Sequence, residues 1–223
     1  MRLVRSGLFL VLLCGVTETR AGGIPPTKPP LIDQALINQA VAYTPKVRHL
    51  VWRLHLGSFS ATFEETRLDD IRQRIGTGHA DRAGDASESI RWYCYSLPGQ
   101  LVWLVSGEMG GGERLTSVAA QSIEPSDPRR PSCPTIPESL RPVTLEFGWL
   151  GTSRGLLEEA LGKPSLVRGD WLAFHYVEKV RRPYKSPPDA QAREVDFDVA
   201  SSIYVRIEEG IVAELHANHV TSY

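Results

Sequence analysis

Four histidines are the residues of this sequence whose chemistry and spacing first suggest a metal site. His216 and His219 lie three residues apart in a run that is typical of a β-strand, Ile211 to Val220. Side chains alternate across a strand, so these two imidazoles should face opposite sides, whereas a metal-binding pair at this spacing suits a helix. His55 or His175 could still converge with them through the fold. We nevertheless expect no bound metal ion.

Acidic and glycine-rich positions offer two further chemistries, and each has a simpler interpretation. Asp196 and Asp198 share one face of a predicted strand and could bind calcium, but we prefer to interpret them as a solvated acidic edge. Glu158 and Glu159 point apart on a predicted helix and indicate its solvent-exposed side. A glycine-rich patch between two predicted strands lacks a following Lys-Ser/Thr pair, so it predicts a hairpin loop and not a phosphate site: Gly107, Gly110, Gly111 and Gly112.

Motifs of known catalytic chemistry are absent from the sequence. It contains no Gly-x-Ser-x-Gly elbow, no phosphate-binding Gly-Lys-Ser/Thr loop and no His-Glu-x-x-His zinc helix. No Ser/His/Asp constellation can be assembled without a structure. We therefore expect no cofactor, and a protein without catalytic activity is the first hypothesis.

The N-terminal residues resemble an export signal. Arg2 and Arg5 precede a short apolar run from Leu8 to Val16, and Thr19-Arg20-Ala21 offers small residues for cleavage. This pattern predicts a signal peptide over residues 1–21, too short for a membrane span, and a periplasmic or secreted protein. A retained N-terminal anchor is the alternative.

Cysteine usage agrees with export. Cys14 would leave with the signal, and the residue before it, Leu13, is too large for a lipoprotein signal. Cys94 and Cys133 remain as an even pair in an oxidising compartment. They predict either one disulfide or two separately buried thiols, and the sequence leaves both open.

Composition is that of an ordinary globular protein. The chain has 223 residues, 42% of them hydrophobic and 23% charged, with a net charge of −1. Removal of Arg2, Arg5, Arg20 and Glu18 with the signal leaves 22 basic and 25 acidic residues. No basic field for nucleic acid exists, and membrane contact is expected only at the periphery, if at all.

Prolines divide the chain into segments. Residues 22–47 begin with four prolines and should form an extended arm, followed by a short helix over Leu31 to Val41. Residues 125–142 hold six prolines, which remove amide donors and prevent a helix or a central strand. This stretch is predicted to be a linker between two folded halves. A third cluster, Pro183, Pro187 and Pro188, predicts a long loop.

The two halves, residues 48–124 and 143–223, show the same order of elements. Each has a strand, then a helix that ends at a glycine, Gly76 or Gly162, and then three strands. In the first half the strands are expected at Leu50–Leu56, Ile90–Leu97, Leu101–Ser106 and Leu115–Ile123. In the second half they are expected at Val143–Trp149, Trp171–Val177, Ser202–Ile207 and Ile211–Val220. The fold class is therefore α+β: two tandem repeats of a helix packed on an antiparallel sheet.

A family resemblance rests on the second half. It contains Gly151-Thr152-Ser153-Arg154-Gly155-Leu156-Leu157-Glu158-Glu159-Ala160-Leu161-Gly162-Lys163-Pro164, followed by Asp170-Trp171, Phe174-His175-Tyr176 and a hairpin at Gly210. This resembles the small outer-membrane-assembly lipoproteins, in which a helix ending in Leu-Gly-x-Pro precedes an aromatic strand. The tandem arrangement is similar to that of the β-lactamase inhibitor protein type. The resemblance implies a binding protein and brings no catalytic residues.

Strand alternation places a set of aromatic side chains on the sheet face that the helices do not cover. Val102 and Leu104 should face the helix, which turns Trp103 to the other side, and Ile203 and Val205 do the same for Tyr204. The full set is predicted to bind a partner: Trp92, Trp103, Trp171, His175 and Tyr204. The alternative is that these side chains are ordinary core between the two repeats.

Two classes of function follow. The first is an exported, non-catalytic protein-binding module, acting on another envelope or secreted protein in envelope assembly or as an inhibitor. The second is a small secreted hydrolase or a ligand-sequestering protein with a pocket between the repeats. An open aromatic face with no converging polar groups would favour the first class, and a closed pocket with His55, His175 or His216 near a carboxylate would favour the second.

Overall fold

A computed structural model describes the protein, and it covers these residues: 28–42, 51–84, 89–107, 113–184, 191 and 193–222. It contains three α-helices: α1 (Gln34–Val41), α2 (Leu68–Ile75) and α3 (Arg154–Leu161). The strands of the first part of the chain are β1 (Arg53–Leu56), β2 (Phe59–Thr62), β3 (Ala80–Ala83), β4 (Ile90–Leu97), β5 (Gln100–Gly107) and β6 (Ser117–Ser122). The later strands are β7 (Val143–Leu145), β8 (Leu166–Arg168), β9 (Trp171–Tyr184), β10 (Arg193–Glu208) and β11 (Ile211–Ser222).

One eight-stranded antiparallel sheet dominates the structure. Its order is β3-β4-β5-β6-β11-β10-β9-β8, so strands from the two halves meet where β6 pairs with β11. Ala120 stands opposite Leu215 at this junction. The fold is thus α+β with antiparallel sheets, as expected. The origin of the two halves as copies of one unit stays a prediction.

A second, three-stranded sheet also joins the two halves. Its order is β2-β1-β7, and β1 from the first half pairs antiparallel with β7 from the second. Leu54 stands opposite Leu145 in this pairing, and both side chains are buried. The two halves therefore share two sheets.

Helices α2 and α3 pack on one face of the large sheet because each presents an apolar stripe. The α2 stripe is Leu68, Ile71 and Ile75, and the helix ends at Gly76, whose φ of +85° suits glycine. Leu157 and Leu161 form the stripe of α3, and the Ser153 hydroxyl accepts the Leu156 N–H at its start. The sheet residues of the same core include the four predicted to face the helices, Val102, Leu104, Ile203 and Val205, together with Tyr93, Tyr95 and Phe174.

Several elements differ from the sequence expectation. The strand expected over Val143–Trp149 ends at Leu145, whereas β9 and β10 extend well beyond Val177 and begin well before Ser202. In their far portions, charged side chains pair across the ladder on exposed surfaces, as Arg181 does with Asp196. Beyond Val177, β9 has no apolar alternation that would extend the prediction, whereas Val195, Phe197 and Val199 alternate with charged residues in the early part of β10. Pro183 lies within β9, and Pro187 and Pro188 lie outside the described residues.

Residues 125–142 pack against the rest of the protein. Ile136 and Leu140 are buried, and the Ser96 N–H donates to the Pro134 carbonyl while the Ile136 N–H donates to the Ser96 carbonyl. The proline-rich segment therefore belongs to the folded core as well as connecting the halves. Within the described part of the chain, no helix is both long enough and apolar enough to span a bilayer.

Candidate functional site

Strand pairing places all five predicted aromatic and histidine residues on one face of the large sheet. Cys94 stands opposite Trp103, which stands opposite Ala119. Further along, Ala119 stands opposite His216, and His216 opposite Tyr204. Residues directly opposite one another in a sheet share a face. By the same pairing and alternation, Trp92, Trp171 and His175 also lie on this face, which we call the helix-free face.

Burial distinguishes between the two alternatives for these side chains. Trp92 and Trp103 are fully buried, Tyr204 is 2% exposed and His175 is 7% exposed. Trp171 is half-buried. The expectation of an open aromatic face is therefore wrong for four of the five. The cover is not the other half of the sheet, because both halves lie in the same sheet.

Helix α1 covers the second half of the helix-free face. Its residues Leu36 and Ala40 form an apolar cluster with Ala173 and Tyr204. Trp171 packs at the edge of this cluster. The helix is held at its start by Asp33, whose carboxylate accepts the Ala35 N–H at 2.9 Å. An eight-residue helix has little stability alone, so α1 depends on its packing against the sheet.

The proline-rich segment reaches the first half of the same face. Cys133 is disulfide-bonded to Cys94, with their Cα atoms 5.0 Å apart, and belongs to the cluster that holds Trp92 and Trp103. This resolves the choice between a disulfide and two thiols in favour of the disulfide. A second anchor is the Arg129 guanidinium, which donates to the Gln121 side chain at 2.8 Å. The segment after β6 therefore folds back onto the sheet.

A groove of about 260 Å³ lies beside α1 on the helix-free face. Its floor is the helix-free face at the middle of the sheet, lined by small and apolar residues such as Ile90, Val105 and Ala119. Tyr204 and His216 line it on the sheet side. The other wall comes from residues before and within α1, including Leu31, which is 88% exposed. An apolar slot beside an exposed leucine is a feature of binding surfaces.

A row of polar side chains continues from this groove along the sheet. Glu214 accepts from the His216 Nε2–H at 2.8 Å and from the Arg206 Nη2–H at 3.3 Å. Gln121 donates to the same carboxylate at 3.3 Å. Both Glu214 and His216 are nearly buried. A buried carboxylate with three donors is well satisfied, so the row is a stable polar border.

The charge of Glu214 is stabilised by this network. Burial acts to raise the pKa of its carboxyl, but the hydrogen bond and charge of His216, together with Arg206, outweigh burial and hold the pKa below its ordinary value. The carboxylate therefore remains ionised at neutral pH. It orients the imidazole of His216 at the groove wall.

The His216–Glu214 pair is a histidine beside a carboxylate, as the hydrolase class requires, but it borders an open groove with the exposed Leu31 on its wall and not a closed pocket. Two serine–histidine pairs also bear on the hydrolase alternative. The Ser202 hydroxyl lies 2.7 Å from His175 Nδ1, and the Ser201 hydroxyl lies 2.9 Å from His219 Nδ1. These distances match a nucleophile and its base. All four side chains are buried, however, and Ser201 also accepts the Val51 N–H. A substrate carbonyl cannot reach either hydroxyl without opening the fold, so we interpret both pairs as structural.

The other residues considered for metal chemistry do not meet. His216 lies on the helix-free face and His219 on the opposite face, as the strand spacing predicts. His55 bonds to Ser60 in the small sheet, and Asp196 and Asp198 pair with Arg181 and Lys179. The described residues contain no group of three or more ligating side chains that could hold a metal ion. Of the glycine-rich patch only Gly107 is described, at the end of β5.

Sequence reasoning missed both covers of the helix-free face. The arm and the proline-rich stretch lack regular periodicity, so their buried positions cannot be recognised from spacing. One signal was present in the sequence: Cys133 in a loop, paired in number with Cys94 on a strand. A disulfide between them requires that the loop fold back onto this face.

Comparison with known proteins gives little. No protein-family model matches this chain, and no curated protein matches it. A solved structure from Streptococcus mutans, called a "putative beta-lactamase inhibitor protein", matches 73% of this chain and 88% of its own length. The identity is 11% and the TM-score is 0.25. At this level of similarity the match carries no functional argument.

Proposed function

We propose that this chain is an exported, non-catalytic protein-binding module that accepts a side chain or short segment of another envelope or secreted protein in the groove on the helix-free face. Its role would lie in envelope assembly or in inhibition of the bound protein. The observation that carries the proposal is the groove itself, an apolar slot with two amphipathic side chains, Tyr204 and His216, in its wall.

The size of the groove favours a protein partner over a free small molecule. Small-ligand pockets typically measure about 300–1,000 Å³ and enclose most of the ligand. This groove is about 260 Å³ and has the exposed Leu31 on its wall. A slot of this size suits a single anchor side chain, and such anchors dominate the energy of protein interfaces.

The proposal also includes export of the chain and an origin of its two halves by duplication of one unit. Residues 1–21 would direct the chain to the periplasm or the medium, and the disulfide between Cys94 and Cys133 supports an oxidising compartment. The two halves would be tandem copies of one unit joined by the proline-rich segment. The order of helix then four-stranded meander in each half supports this.

Site-specific photo-crosslinking tests the proposal. A photoreactive residue at Gln34, on the groove wall, should capture a protein from the envelope or secreted fraction. The matched control places the same residue at Leu156, which is 60% exposed on α3 on the other side of the sheet. Unlabelled protein should compete away the product at Gln34, and the variant Ser117→Trp, which fills the groove, should compete poorly.

Equal capture from both positions, or none from either with the fold intact, would contradict the proposal. Purified β-lactamase is a suitable first probe for the inhibitor form, because the sequence resembles that type of inhibitor. Loss of its activity with the wild type but not with Ser117→Trp would identify inhibition through the groove.

A further inference from the structure

A cleft of about 400 Å³ on the helix-bearing side of the sheet contains groups that the proposed function does not use. It lies at the far end of β9, β10 and β11, on the opposite face from the groove. Three aromatic rings line it: Trp52, Phe63 and Phe197. Its volume falls in the usual range of small-ligand sites, about 300–1,000 Å³.

Glu64 is held rigidly in this cleft. Its φ of +61° is a left-handed conformation that residues other than glycine rarely adopt. Four hydrogen bonds hold it there: its N–H donates to the Leu115 carbonyl, its own carbonyl accepts from Arg114, and Thr221 donates to the carboxylate through both its N–H and its hydroxyl. A strained residue fixed so completely is typical of functional sites.

His219 lies directly behind this carboxylate and has an unsatisfied ring nitrogen. The ring is fully buried, with its centroid 4.4 Å from that of Trp52. Nε2 lies 3.8 Å from Glu64 Oε2 and has no hydrogen-bond partner among the described residues. If Nδ1 donates to the Ser201 hydroxyl, Nε2 is an acceptor without a donor among the described residues, and it lies next to Glu64 Oε2, which already accepts from the Thr221 hydroxyl. Buried polar atoms are seldom left in this state.

Two guanidinium groups line the same cleft. Arg114 and Arg182 are exposed, and within the described part of the chain neither forms an ion pair with a carboxylate. The cleft therefore presents the fixed Glu64 carboxylate, the neighbouring Glu65 carboxylate, the two guanidinium groups and an aromatic wall. A purely anionic ligand would oppose Glu64, and a purely cationic ligand would oppose the two arginines.

We propose that this cleft binds a small zwitterion with a large apolar side chain, namely an aromatic α-amino acid or a dipeptide. The ligand ammonium would donate to Glu64 Oε2, because the Glu64 side chain is partly exposed in the cleft. The ligand carboxylate would lie toward Arg182 and Arg114, because hydrogen bonds between a guanidinium and a carboxylate are stronger than those between neutral groups. The side chain would pack among Trp52, Phe63 and Phe197. This site is independent of the groove proposed to bind a protein.

Calorimetric titration with free tryptophan and two capped analogues tests the charge requirement. Tryptophan should bind, and both N-acetyl-tryptophan, which lacks the ammonium, and tryptophan amide, which lacks the carboxylate, should bind about tenfold more weakly or worse. Equal affinity for all three would overturn the proposal. The absence of binding by tryptophan, phenylalanine and Phe-Phe at about 10 mM would also overturn it.

A matched pair of arginine variants tests the location. Arg182→Gln should weaken tryptophan binding about tenfold but should not weaken the binding of tryptophan amide, because the amide has no carboxylate to pair with Arg182. Arg181→Gln is the control, since Arg181 is adjacent in the strand, points to the other face and pairs with Asp196. If the two variants weaken tryptophan equally, or neither does while circular dichroism shows an intact fold, the cleft is not the site.

Discussion

Cys94 and Cys133 join a central strand to the proline-rich segment, with their Cα atoms 5.0 Å apart across a sequence separation of 39 residues. Cys94 lies in β4, directly opposite Trp103 on the helix-free face. The bond therefore holds the segment at the cluster that contains Trp92 and Trp103.

Removal of the disulfide should destabilise the fold and loosen the packing of the proline-rich segment over Trp92 and Trp103. In the chain-entropy model, a bridge across this loop of 39 residues stabilises by about 4 kcal/mol. The double variant Cys94→Ala/Cys133→Ala should lose a comparable free energy of unfolding in urea, and its tryptophan fluorescence should shift to longer wavelength. Reduction of the wild type should reproduce both changes. An unchanged emission spectrum in the folded variant would show that the bond does not maintain the cover.

Trp103 should behave as core. Because it is fully buried, Trp103→Ala should cost about 3–5 kcal/mol of folding stability, measured by thermal or urea unfolding. Leu156→Ala is the comparison, since Leu156 is 60% exposed and its loss should change stability by less than about 0.5 kcal/mol. A small effect at Trp103 would revive the hypothesis of an open aromatic face.

The cover formed by α1 should depend on its N-cap. Asp33→Ala removes the acceptor for the Ala35 N–H, which costs about 1 kcal/mol of helix stability. Because α1 is short and peripheral, we expect faster amide hydrogen exchange in α1 and around Tyr204 with little change in the melting temperature. The control Gln39→Ala changes an exposed residue of the same helix. Exchange rates that match the control would mean that the Asp33 N-cap does not hold α1 in place on the helix-free face.

Two buried histidines should make the protein less stable in mild acid. Burial lowers the pKa of His175 and of His219 below the ordinary value of 6.5. As the pH falls below 6.5, these two imidazoles are protonated in the unfolded chain but remain neutral in the folded chain. The free energy of unfolding therefore decreases by at most about 1.4 kcal/mol per pH unit for each histidine. The stabilisation is complete above pH 6.5.

Urea unfolding at several pH values between 7.5 and 5.5 measures this slope. His175→Gln should make the slope shallower, because one buried imidazole no longer contributes. His79→Gln, at an exposed position, is the control and should leave the slope unchanged. If His175→Gln retains the wild-type slope, another group is responsible for the acid sensitivity.

Side-chain alternation in the sequence predicted which residues share a face. The positions of Trp103 between Val102 and Leu104, and of Tyr204 between Ile203 and Val205, were sufficient to place both aromatics on the helix-free face. The helix ends at Gly76 and Gly162 were equally clear. These features depend on the geometry of a few consecutive residues, so they can be predicted from the local sequence.

The tertiary structure decided what covers each face and which distant residues meet. Whether Tyr204 is open or buried depends on α1, which lies more than 160 residues earlier in the chain. The cleft combines Glu64 with Thr221, 157 residues apart, and no local pattern predicts that meeting. Long-range packing follows from the free energy of burying apolar surface across the whole fold, which residue spacing within one segment cannot encode.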